Sequence, residues 1–86
     1  MKNRAPNGNR NLAGEKIKYL RKQLKGNISQ REFAEMLQRS GLDFHKNVVS
    51  EIELGKRVIS DIELVTIARV FDVTVDELLK SEWRFH

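Results

Sequence analysis

From Glu15 onward the apolar residues of this chain recur three and four positions apart. Ile17, Leu20 and Leu24 form one stripe, Phe33, Ala34 and Leu37 a second, and Val49 with Ile52 a third. Leu64, Ile67, Ala68 and Phe71 make a fourth, and Leu78 with Leu79 closes the series. Each stripe gives a helix one face to bury and leaves the others to water. The helix starts are marked as well. In Ser29-Gln30-Arg31-Glu32 the serine hydroxyl can accept from the Glu32 N–H while the glutamate reaches back to the Ser29 N–H, with Ile28 and Phe33 as the flanking apolar staple. The arrangement recurs at Ser60-Asp61-Ile62-Glu63, between Ile59 and Leu64, and at Thr74-Val75-Asp76-Glu77, between Val73 and Leu78. Helices are therefore predicted to begin near 30, 61 and 75. Gly41 and Gly55 fall in the connections and suit helix ends, since glycine takes positive φ at little cost. The pattern predicts an all-α fold, a compact domain of five short helices over residues 12–80. Residues 1–11 hold Asn, Gly, Lys, Arg and the only proline without periodicity, which predicts a flexible basic arm, and residues 81–86 predict a short tail.

A chain of 86 residues fits one domain, and a domain this small buries about 60% of the surface its unfolded chain exposes. There is no cysteine, which excludes disulfides, thiolate zinc sites and thiol nucleophiles. His45 and His86 are the only histidines, too few for a three-histidine zinc site, so neither metal nor cofactor is expected. Ser29 and Ser60 are explained as caps, Ser50 has no base and orienting acid around it, and no glycine-rich phosphate loop is present. An enzyme is not expected. Apolar runs of three residues or fewer cannot span a bilayer, and the start MKNRAPNGNR lacks the apolar stretch of a secretory signal, so a cytoplasmic location is expected.

Charge is unevenly spread. Residues 1–25 carry eight basic side chains against Glu15 alone, residues 26–57 are balanced, and residues 58–86 hold three bases against six acids. Such a bipolar molecule could lay its basic half on nucleic acid with the acidic half turned away. It could equally be a basic tail joined to solvated helix faces, and charge alone leaves both readings open.

Two helices, one starting at 30 and one near 46, joined by a short glycine-containing connection are the skeleton of a helix-turn-helix. A helix over 46–54 would fit the major groove of B-DNA. With Val49 and Ile52 turned inward, Lys46, Asn47, Ser50 and Glu51 face outward. Lysine can donate to guanine O6 and N7, asparagine can bridge adenine N6 and N7, serine serves either role, and glutamate can accept from cytosine N4. Val48, if turned outward, could meet a thymine methyl. The same residues would also suit a helix that does no more than meet solvent.

The ordered set of segments narrows this. Lys18-Tyr19-Leu20-Arg21, Ile28-Ser29-Gln30-Arg31-Glu32-Phe33-Ala34, Val49-Ser50-Glu51-Ile52-Glu53-Leu54-Gly55-Lys56-Arg57 and Phe71-Asp72-Val73-Thr74-Val75-Asp76-Glu77-Leu78-Leu79 stand in the chain in that order. Residues 14–79 thereby resemble the lambda-repressor-like, Xre/Cro-type helix-turn-helix family. The resemblance implies five helices with the second and third as the reading unit. It also implies a sequence-specific transcriptional regulator, typically a repressor, that binds double-stranded operator DNA as a homodimer. By position it implies base reading by Lys46, Asn47 and Glu51, with Ser50 beside them, and phosphate contacts by Gln30, Arg31, Lys56 and Arg57. It further implies a structural salt bridge between Arg21 and Glu53. The dimer surface is expected at the C-terminal helix region, with Leu78, Leu79, Trp83 and Phe85. Two departures stand out: the segments before Ile28 and after Leu37 are longer than is usual in the family, and Glu51 places an acid at a reading position. An antitoxin or accessory protein, whose main partner is another protein, and a helical module with a vestigial DNA face are the alternatives.

Overall fold

The computed structural model of the chain describes residues 5–79, with the side chains of the first helix from residue 13 onward. Its elements are α1 (Ala5–Gln23), a single 3-10 turn (Leu24–Gly26), α2 (Gln30–Arg39), α3 (Lys46–Glu53), α4 (Asp61–Phe71) and α5 (Val75–Leu79). No strand occurs among the described residues, so the fold is all-α.

The helix starts follow from their caps. The Ser29 hydroxyl accepts from the Glu32 N–H at 3.0 Å, and the Glu32 carboxylate accepts from the Ser29 N–H at 2.9 Å. Ser60 and Glu63 repeat the exchange at 3.2 and 3.0 Å, and Thr74 accepts from the Glu77 N–H at 3.1 Å. Each cap satisfies donors that the first turn of a helix otherwise leaves without partners.

The ends of α2, α3 and α4 share one device. After α2, Gly41 N–H donates to Gln38 O and Leu42 N–H to Leu37 O; after α3, Gly55 donates to Ile52 O and Lys56 to Glu51 O. This paired return requires a left-handed residue, and the glycines supply it at φ 104° and 78°. After α4 the same two bonds form, from Asp72 to Arg69 O and from Val73 to Ala68 O, but the left-handed residue is Asp72 at φ 60°. A β-carbon is strained there, and an acid opposes the helix dipole. Asp72→Gly is expected to raise stability by about 0.5–1 kcal/mol in urea unfolding.

Two expectations are corrected. Residues 5–11, assigned by composition to the arm, are helical in the structure. Pro6 sits in the first turn, where its missing N–H breaks no helical bond, so the proline does not exclude a helix. Leu78, placed with the dimer surface, is fully buried, since it lies on the inner face of α5 where that helix packs on α1 and α4. Residues 1–4 and 80–86, with Lys2, Arg4, Trp83 and Phe85, lie outside the described residues. The long segment after Leu37 is taken up by the last residues of α2 and the turn that follows.

The core gathers Ile17, Ile28, Phe33, Ala34, Leu37, Phe44, Val49, Ile52, Ile67, Ala68, Phe71 and Leu78. Phe33 of α2 and Phe71 of α4 stack with ring centroids 4.9 Å apart. At one place backbone meets backbone: a β-carbon at Gly14 of α1 would fall onto the Ile52 carbonyl oxygen, with the Glu53 oxygen 3.1 Å away. The C-terminal end of α3 thus rests directly on α1.

Candidate nucleic-acid interface

What α3 can do depends on how it is held. Its inner side carries Val49, Ile52 and Glu53, all buried. A carboxylate in that position needs partners, because burying a charge without them is costly. Arg21 of α1 donates to it through Nε at 2.7 Å and Nη2 at 3.1 Å, and its Nη1 donates to the Ile28 carbonyl at 2.8 Å. The Gln30 amide adds a third bond to Glu53 at 3.0 Å. The Arg21 and Glu53 side chains are 8% and 2% exposed. One network therefore ties α1, the start of α2 and the end of α3.

The start of α3 is held differently. Phe44, buried just before the helix, carries a carbonyl that accepts from the Gln38 amide at 2.6 Å. The same amide nitrogen lies 3.2 Å from His45 Nδ1, and His45 Nε2 lies 3.4 Å from Asp43 Oδ1. With Gln38 donating, the neutral ring carries its proton on Nε2, toward Asp43. His45 is the N-cap residue of α3 but makes no side-chain capping bond, and the first turn of α3 contains no acid. Unlike the starts of α2 and α4, this end has no side-chain cap or acid to offset its positive partial charge.

Lys46, Asn47 and Glu51 are exposed on the outer side of α3, and Ser50 is half-buried. Val48 does not turn outward: it is half-buried against the core, because it borders the Val49–Ile52 stripe. Leu54 continues the outer stripe three residues beyond Glu51 and is 63% exposed. Val58 at 69% and Ile62 at 76% lie just beyond it along the chain.

Of the four candidate phosphate contacts, Arg31 and Lys56 are exposed. Gln30 is half-buried, with one amide N–H given to Glu53 and a second donor remaining. Arg57 is engaged within the fold. Its Nη1 and Nη2 meet the two Glu63 oxygens at 3.1 and 3.4 Å, and its guanidinium carbon lies 4.9 Å from the centroid of the Phe44 ring. Burial pushes the Glu63 carboxyl up, but the Arg57 hydrogen bond, the Ser60 N–H, the Arg57 charge and the Ser60 side chain outweigh it and hold the group below its ordinary value. Sequence reasoning did not single out Gln38, Phe44 or Glu63 as supports of this surface. The one available signal was the presence of an apolar aromatic outside every helical stripe.

The geometry is that of a helix-turn-helix, two helices joined by a structured turn with the second presenting a polar face to solvent. Residues 17–78 match the family model described as helix-turn-helix, and the chain belongs to this lambda-repressor/Xre-type family of DNA-binding regulators. No curated protein matches the chain. No helix of the described residues is long and apolar enough to cross a membrane.

Proposed function

We propose that the chain is a sequence-specific transcriptional regulator that reads operator half-sites with α3 in the major groove, one helix per half-site of a homodimer. The observation that carries this reading is the contrast between the two sides of α3. Its inner side is fastened through Glu53, while Lys46, Asn47 and Glu51 stand free on the outer side. Base reading needs such a rigid support, because a hydrogen bond to a base edge discriminates only if its donor is held in place. Asn47 reads adenine, Lys46 guanine and Glu51 cytosine, with Ser50 adjusting to either strand. Phosphates are met by Arg31, Lys56, the second N–H of Gln30 and the uncapped start of α3.

A protein seated in an operator groove excludes others from the same site, which gives repression its simplest form. Two half-sites about 34 Å apart need two copies. With Leu78 in the core, the apolar surface that favours a second copy is Leu54, Val58, Ile62 and Val65, all exposed.

The test separates reading from positioning. Asn47→Ala is expected to cost about 1–3 kcal/mol on the preferred duplex and to relax selectivity at one base pair. Lys56→Ala is expected to weaken all duplexes alike and to flatten the dependence of log K on log salt by about one. Fluorescence anisotropy over a salt series reads both. An Asn47→Ala chain with unchanged base preference would remove α3 from the reading role.

A further inference from the structure

Arg57 stands in the loop after α3, where a basic side chain is readily assigned to the DNA backbone. Its surroundings give it another task. Two of its nitrogens face both oxygens of Glu63, and its plane covers Phe44. Guanidinium over a ring at this distance is attractive, and the paired fork to a carboxylate fixes its orientation. The side chain is 34% exposed and that of Glu63 19%, so the pair is partly withdrawn from solvent.

The three residues come from three places. Phe44 precedes α3, Arg57 follows it, and Glu63 belongs to the capping box of α4, where Oε1 also accepts from the Ser60 N–H. Only Phe44 lies next to the reading residues, with Lys46 and Asn47 following it in the chain. Far from it, the other end of α3 is fixed by Arg21 and Gly14. At the first end the Gln38 amide holds the Phe44 carbonyl while Arg57 and Glu63 hold its ring; with the ring released, α3 is free to tilt about Glu53, and a tilt displaces Lys46 and Asn47 most.

We infer that Arg57 is a positioning residue for base reading, clamping Phe44 against the α4 cap and so setting the angle of the N-terminal end of α3, and that it is not a phosphate ligand. The inference rests on the proposed DNA-reading function. It differs from a phosphate contact in three observable ways. A phosphate contact adds to the salt dependence, is served by lysine, and strengthens when a neighbouring acid is removed. A clamp contributes little to salt dependence, needs the planar fork, and fails when its carboxylate loses charge.

The experiment compares the full chain with Arg57→Gln, Arg57→Lys and Glu63→Gln, by anisotropy on the selected duplex and on a scrambled duplex, over a salt series. Circular dichroism at the same temperature establishes that each variant is folded. Glu63→Gln keeps the capping box, because glutamine still offers an oxygen to the Ser60 N–H. The clamp predicts that the preferred-to-scrambled affinity ratio falls about tenfold in Arg57→Gln and does not recover in Arg57→Lys. It also predicts a lower ratio in Glu63→Gln and an unchanged salt slope throughout. A slope reduced by about one in Arg57→Gln, with recovery in Arg57→Lys and tighter binding by Glu63→Gln, would make Arg57 a phosphate ligand. Lower thermal stability with the ratio intact would make it a brace without influence on reading. A wild-type chain that prefers no duplex fails before any variant is compared, and then the DNA-reading function itself falls.

Discussion

Arg21→Ala is expected to lower the free energy of unfolding by about 3–5 kcal/mol, because it leaves the Glu53 carboxylate buried without its counter-ion. The loss has two parts. Two charge-assisted bonds to Glu53 disappear, and so does the bond that satisfies the Ile28 carbonyl at the entry to α2. Gln30 alone cannot compensate a full negative charge, since a neutral amide donates without cancelling it. For a domain with a total stability of roughly 5–10 kcal/mol, such a change approaches loss of the fold. Urea unfolding measures it. The paired replacement Arg21→Met with Glu53→Leu supplies the control, and is expected to recover most of the stability because it removes both charges at once. If Arg21→Ala unfolds at the wild-type midpoint, the network does not hold α3.

The second large effect has an inverted sign. In the middle of an ordinary exposed helix, replacing glycine by alanine stabilises by about 1 kcal/mol. At position 14 the same change is expected to destabilise by about 2–3 kcal/mol, because the new methyl meets backbone oxygens rather than a side chain that could turn away. Relief requires α1 and the end of α3 to separate, which also stretches the Arg21–Glu53 pair. Thermal unfolding of Gly14→Ala decides the matter by sign alone. A more stable variant would mean that α1 and α3 do not approach at this point.

How much of this is legible in the sequence depends on whether the signal is local. The caps Ser29, Ser60 and Thr74 each stand three residues before a glutamate, so their bonds are legible in the chain and the starts of α2, α4 and α5 follow from them. The inner stripe of α3 was equally legible, because Val49 and Ile52 are separated by one turn. What escaped was either compositional or long-range. Residues 5–11 have the makeup of a loop, and composition cannot report that a proline in a first turn is harmless. Gly14 carries no signal within its own segment; only the approach of α3 gives it a reason. Lys16 is buried, although its charge argues for solvent. Phe44, Arg57 and Glu63 meet from three separate elements, and nothing in the spacing of a single chain pairs them. Leu78 and Leu79 are adjacent and identical, yet one is fully buried and the other exposed, a choice made by the packing of a short helix on α1 and α4.

The supports of α3 share a common logic. Its C-terminal end is fixed by a buried ion pair and by backbone contact with α1, and its N-terminal end by Phe44 under Arg57. The proposed reading groups lie on the outside, where a partner would be met without first breaking bonds within the fold. Lys46, Asn47 and Glu51 fit that description, whereas Arg57 does not.

Whether α3 reads base sequence is decided by selection of bound duplexes from a random DNA pool. The full chain is used at roughly physiological salt, where binding to phosphates alone is weak. An enriched inverted repeat with half-site centres about one helical turn apart is expected, with a changed preference at one base pair per half-site when Asn47→Ala is used in its place. A pool that emerges unenriched, or an enriched site that Asn47→Ala selects unchanged, would contradict it.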